Sequence, residues 1–204
     1  MSDVLWEGGN LPVGSIGTRS NGWWAMLFII LTEGALFAYL LFSYYYLAIQ
    51  PHTAAWPPGG APSMRLALPN TFVLIASSIA AWWGEQGAKQ NRNLQLCLGL
   101  ASALVLGAIF VAIQLLEWHN KPYSLASSTY SSLYFTITGF HMAHVAVGLL
   151  MLAALVLWSS LGMFDRWRHA PVSIGAIYWH FVDAVWLTVF LTFYVTPHLG
   201  VGHG

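Results

Sequence analysis

The sequence predicts an all-α fold, a polytopic membrane bundle of five transmembrane helices, with the N-terminus inside and the C-terminus outside. Three observations predict it. Only seven Lys or Arg and seven Asp or Glu occur among 204 residues, 7% of the chain, against about 25% in a soluble domain. Five apolar runs are each long enough for a hydrocarbon core about 30 Å thick, which takes roughly 20 helical residues. Polar or proline-rich loops separate these runs, and the basic residues divide unequally between the two sides they define.

Residues 1–22 are glycine-rich, with Asp3 and Glu7 and no basic start, and read as a polar N-terminal tail rather than a signal peptide. A transmembrane domain follows over 23–196, then a short tail over 197–204. The first span is Trp23–Ile49. It ends at Pro51–Pro62, whose prolines lack amide donors and whose glycines are flexible. The second is Leu66–Trp83, closed by the polar stretch Gly84–Asn93, read as a loop. The third is Leu94–Leu116, the fourth Leu133–Leu157 and the fifth Ile174–Val195, with loops at Glu117–Ser128 and Gly162–Pro171. Loops this short make successive helices antiparallel neighbours in one bundle, and eleven Trp and nine Tyr suit aromatic belts at its two interfaces.

Orientation comes from the basic residues. The N-terminal tail and the second and fourth loops share one side and hold Arg19, Lys89, Arg92, Arg166 and Arg168, whereas Arg65 and Lys121 lie on the other. The richer side is expected inside. Zero formal net charge and scattered basic residues give no footprint for nucleic acid. The single cysteine, Cys97, has no partner for a disulfide or a thiolate metal site and reads as a small apolar packing residue.

Two acids lie inside apolar runs, where a carboxylate costs on the order of 3 kcal/mol and so faces a bundle interior or a polar path. Glu33 is the eleventh residue of its span, about 15 Å deep at 1.5 Å per residue. Gly34 after it permits close helix approach. Asp183 lies at a similar depth in the fifth span, in YWHFVDAVW, with His180 three residues earlier on a shared face. The fourth span carries TGFHMAHVAVG, which puts His141 and His144 on one face. Imidazoles suit haem or copper, but bis-histidine ligation needs matched depths on facing helices, and His180 lies only about seven residues from the end of its span. A solvated or hydrogen-bonded helix end is the expectation for Glu117, and Asn70, Thr71, Ser77 and Ser78 read as small polar residues that let the second helix pack closely.

Together these residues resemble subunit III of the haem–copper respiratory oxidases. The matching pieces run in the family's order: Glu33 and the apolar-aromatic stretch after it, Asn70-Thr71 with Ser77-Ser78, Gln114 and Glu117, Tyr130 and Phe135, the string from Thr138 to Gly148, and the string from Tyr178 to Trp186. They cover about residues 20–196. Two departures stand out: Thr32, Gly34 and Ala35 flank Glu33 where the family usually has a serine before and larger residues after, and Glu117-Trp118 replaces a commoner Glu-Tyr. Seven-span members begin with two extra helices around a lipid-filled cleft. The present sequence is similar to the five-span form of bacterial quinol oxidases and some bacterial cytochrome c oxidases.

The resemblance implies a cofactor-free accessory subunit of a terminal oxidase in the bacterial plasma membrane. Subunit I, its direct partner, would hold the haem and copper that reduce oxygen to water. Subunit II would carry copper-A if cytochrome c is the electron donor, and a small subunit IV and structural phospholipids complete the expected surroundings. Subunit III is associated in the family with fast proton uptake by subunit I and protection from turnover inactivation, and the carboxylate at the Glu33 position is the one modified by carbodiimides. Glu33, Asn70, Glu117, His141, His144, His180 and Asp183 are accordingly expected as buried polar, structural or proton-supporting groups, with no catalytic, cofactor-binding or metal-ligating residue in the chain. The alternatives are a stand-alone proton transporter or channel along a Glu33–Asp183 face, against which the lack of inverted repeats counts, and the related subunit of a nitric oxide reductase.

Overall fold

The computed structural model describes residues 20–50, 56–57, 60, 62–164 and 168–199. Five long helices account for most of them: α1 Asn21–Ala48, α2 Met64–Lys89, α3 Asn93–His119, α4 Thr129–Ser160 and α5 Ala170–Phe190. Each is long and apolar enough to cross a membrane. Beyond α5 the chain widens into a π turn over Leu191–Val195 and tightens into a 3₁₀ turn over Thr196–Leu199. Pro197 has no amide to give the Phe193 carbonyl, and the Thr196 amide reaches back to Leu191.

Local chemistry sets the ends. Ser128 and Ser131 cap the start of α4 reciprocally, side chain to backbone in both directions. Pro171 sits in the first turn of α5, where an amide would have no intrahelical acceptor. The α2–α3 turn is a Schellman motif: Asn91 is left-handed at φ 58°, its amide bonds Ala88, and the Arg92 amide bonds the Gly87 carbonyl at 2.8 Å. Gly162 ends α4 in the same way.

The polar stretch after Trp83, expected as a loop from Gly84, is helical to Lys89. Packing explains the difference. A Cβ on Gly99 would come within 2.4 Å of the Gly84 Cα, and one on Gly87 within 2.7 Å of the Leu96 amide nitrogen. These glycines let the backbones of α2 and α3 touch, so the helix is held past its apolar run by its neighbour.

Helices α2, α3, α4 and α5 form a closed ring in which each packs on the next, and α1 lies outside it against α4 and α5. The expectation that successive helices are neighbours therefore fails between α1 and α2. Their connection, from Ile49 to Ser63, is long enough to let the two helices dock on different sides of α5. Only Phe37, Tyr44 and Ala48 of α1 are buried, whereas α5 buries eleven residues, the indoles of Trp179 and Trp186 among them.

Candidate functional site

The interior is organised by two tryptophans seven residues apart on α5. The Trp179 indole donates to Ser77 at 3.1 Å and that of Trp186 to Thr71 at 3.0 Å. Each hydroxyl passes its own proton to a carbonyl in its helix, Ser77 to Leu74 and Thr71 to Ala67, so each both accepts and donates. Trp179 fits because α3 and α4 offer glycines. A Cβ on Gly107 would stand 2.8 Å from the indole, and one on Gly148 would stand 2.7 Å from it. The hydroxyls of α2, expected as close-packing residues, are thus also acceptors for the central helix.

Glu33 and His144 meet between α1 and α4. His144 Nε2 lies 3.1 Å from Glu33 Oε2, and His144 Nδ1 lies 2.7 Å from the carbonyl of Phe140. A carbonyl only accepts, so Nδ1 carries a proton. One further proton then serves the Nε2–Oε2 contact. It belongs either to a carboxylic acid donating to a neutral ring or to an imidazolium donating to a carboxylate. The Phe37 ring covers His144 edge-on at 5.1 Å, and Tyr178 donates to the His144 carbonyl. The Glu33 side chain remains 34% exposed and that of His144 15%, so the pair sits on the bundle's flank rather than in its centre.

Glu117 is the opposite case. Expected at a hydrated helix end, it is 5% exposed. Lys121 Nζ lies 3.0 Å from its Oε1, Tyr194 donates to the same oxygen, and Tyr134 donates to Tyr194 at 3.0 Å or to Glu117 at 3.5 Å. The ammonium also stands over the Tyr134 and Tyr194 rings, at 4.9 and 5.4 Å. The wide π turn is what presents Tyr194 here. Beside the cluster, burial and then the charge of Glu117 push the Tyr123 hydroxyl up to about 12, so it stays a neutral phenol.

The remaining candidates are dispersed. His141 and His144, expected on one face, both pack on the Phe37 ring of α1 but at different depths in the bundle. His144 meets Glu33, whereas His141 is wholly buried among Phe37, Phe110 and Trp186, with ring centroids 6.5, 5.9 and 5.1 Å away. Neither of its nitrogens has a partner among the described residues. Asn70 donates to the Phe110 carbonyl at 3.2 Å. His180 bonds Ser78 through Nδ1 at 2.5 Å. Asp183, 7% exposed, has neither oxygen in hydrogen-bonding geometry with a described residue. The acids Glu33 and Asp183 therefore do not form one face, and His180 and Asp183 do not form a bonded pair. Among the described residues, no three His, Cys, Asp or Glu come together as metal ligands would.

Sequence reasoning passed over Lys121, Tyr134 and Tyr194. A signal for the first was present: Glu117 and Lys121 are four apart in the favourable order for a helix. The tyrosines, which meet only through tertiary packing and the π turn, left none.

The family model described as cytochrome c oxidase subunit III matches residues 4–197. The chain is 37% identical over 177 residues to cytochrome c oxidase subunit 3 of Synechocystis sp., covering 83% of this chain and 73% of the relative. It is 33% identical over 186 residues to the protein of that name from Drosophila melanogaster, covering 88% of this chain and 70% of the relative. In Danio rerio the corresponding figures are 32% over 177 residues, 84% and 68%. With five membrane-crossing helices and a match along nearly its whole length, the chain belongs to the cytochrome c oxidase subunit III family.

Proposed function

We propose that this chain is the cofactor-free accessory subunit of a terminal haem–copper oxidase, packed on the oxygen-reducing subunit and supporting its proton uptake. The observation that carries the reading is how the polar groups are used. Indoles bond hydroxyls, Glu117 bonds lysine and tyrosine, and Glu33 bonds His144, so most of the interior chemistry joins helix to helix. Within this reading haem and copper belong to partner subunits, and phospholipids cover the exposed apolar flanks. The side bearing Lys89, Arg92 and Arg168 faces inward, as the positive-inside rule requires, in a bacterial plasma membrane.

Glu33 and His144 are the groups suited to a proton-supporting role, because a single proton between them can rest on either partner without breaking the contact. The role needs no continuous wire through the chain.

The test is purification of the complex with and without this chain. Without it, oxygen reduction should persist with unchanged haem per oxygen-reducing subunit, but successive turnovers should slow and inactivate. A stoichiometric haem or copper spectrum from the isolated chain would overturn the assignment. So would pH-driven flux into liposomes holding this chain alone.

A further inference from the structure

Asp183 is the one carboxylate of the spanning helices whose two oxygens both lack a hydrogen-bond partner among the described residues. Its surroundings are not closed. Helices α1 and α2 both pack on α5 but make no substantial interface with each other, so a strip of α5 is left uncovered between them. Along it Ala184, Leu187 and Leu191 are exposed at the three- and four-residue spacing of one helix face. Beside the strip, α2 and α5 enclose a groove of about 420 Å³, walled by Ile79, Trp82 and Leu187 and floored by Ser78, His180 and Asp183.

The depth of this groove restricts what can fill it. Asp183 stands thirteen residues beyond Ala170, about 20 Å along a helical span of 30 residues, and so near mid-membrane. A carboxyl group there needs a donor or an acceptor, and hydrocarbon supplies neither. A lipid headgroup lies too far out, and an acyl chain has no polar atom to offer. The nearby Ser78 hydroxyl has a single proton, which either His180 or Asp183 can take, so at least one Asp183 oxygen is left without a donor. The groove thus asks for an apolar surface bearing one hydrogen-bonding side chain at mid-depth, and in a bilayer that surface is a transmembrane helix.

We infer that the α2–α5 groove is the docking seat for a transmembrane helix of the partner oxidase subunit, which places a hydrogen-bonding side chain on Asp183. The inference rests on the accessory-subunit reading and deepens it by naming the face that docks. Small Ala184 and Ser78 admit a close approach. Trp82 and Leu187 supply the apolar contact, and the buried acid fixes rotation and depth. Glu33 and His144 lie on the other side of α1 from this seat and keep their own pairing.

The experiment uses the assembled complex with a photo-crosslinking amino acid at Ile79 and, separately, at Leu150 on the exposed side of α4. Ile79 should capture a partner membrane subunit at least tenfold more than Leu150 does. Asp183→Ala should lower copurified partner about tenfold, whereas Asp183→Asn, which keeps an acceptor and adds a donor, should largely restore it. Capture of lipid alone from Ile79, in a complex that still assembles and turns over, would overturn the inference while leaving the accessory role intact. Partner capture from Leu150 and not Ile79 would do the same. The Ile79 measurement leaves Asp183 native, so it holds even if the alanine variant fails to fold.

Discussion

Glu33 and Glu117 are the same residue in helices of the same bundle, each within 3.1 Å of one cationic or cation-forming partner, yet they are held in different ways. Glu117 is enclosed. Its neighbour is a lysine, its acceptor oxygen also takes a tyrosine proton, and side-chain exposure is 6%. Glu33 has a histidine, one contact, and 34% exposure. A lysine ammonium gives its partner a standing charge, whereas an imidazole can hold the shared proton or leave it with the acid. The partner and the degree of enclosure, rather than the carboxylate, separate a fixed joint from the group proposed above to support proton uptake. The first joins α3 to the ends of α4 and α5; the second attaches α1 to the outside of the ring.

The largest test of this contrast is Glu117→Ala. It leaves Lys121 charged, nearly buried and without its carboxylate, for which the expected loss of stability is about 3–5 kcal/mol. The fraction of folded protein across a denaturant or temperature series in detergent measures it. Adding Lys121→Met to the alanine variant should recover much of the loss, because the uncompensated charge goes with the lysine. Additive losses in the double variant would mean that the two groups do not act as one unit.

Replacement of Glu33 should cost less and should depend on what replaces it. Glu33→Gln keeps a donor for a neutral His144, and assembly is expected within about 1 kcal/mol of the parent. Glu33→Leu leaves Nε2 facing nothing, and a loss of about 1–2 kcal/mol follows, with α1 loosening first. Protease sensitivity of the α1–α2 connection reads the loosening directly. Equal effects from both substitutions would show that the contact is not a proton-sharing bond, and would remove Glu33 from the proton-supporting role.

Much of this arrangement was legible before folding, and the limits have physical causes. Five helices follow from apolar length alone, since the bilayer fixes how many residues a span needs. The family strings at Thr138–Gly148 and Tyr178–Trp186 proved to hold the glycine, indole and imidazole groups around which the ring closes. Which acid meets which base did not follow. His141 and His144 are three residues apart and both reach Phe37 of α1, and only tertiary packing encloses the first with Phe110 and Trp186 and gives the second Glu33. Tyr194 reaches Glu117 because the chain widens into a π turn, a consequence of Pro197 and of packing that no periodicity announces. The extension of α2 to Lys89 was hidden for a related reason: composition said loop, and glycine contacts between two backbones said helix.

A third acid completes the comparison with the smallest expected effect. Glu85 and Lys89 have the same identities and four-residue spacing as Glu117 and Lys121, and nearly the same separation, 2.9 against 3.0 Å. What differs is enclosure, because the Lys89 side chain is 42% exposed where that of Lys121 is 11% exposed. Water or headgroups can solvate Lys89 once its partner is gone, so Glu85→Gln should cost about 0.5 kcal/mol or less and move the unfolding midpoint by under about 2 °C. Raising the salt should shrink even that difference, whereas the Glu117 variant should be insensitive to it. A loss at Glu85 matching the loss at Glu117 would mean that spacing and charge suffice, and that burial is not what separates a joint from an ornament on the surface.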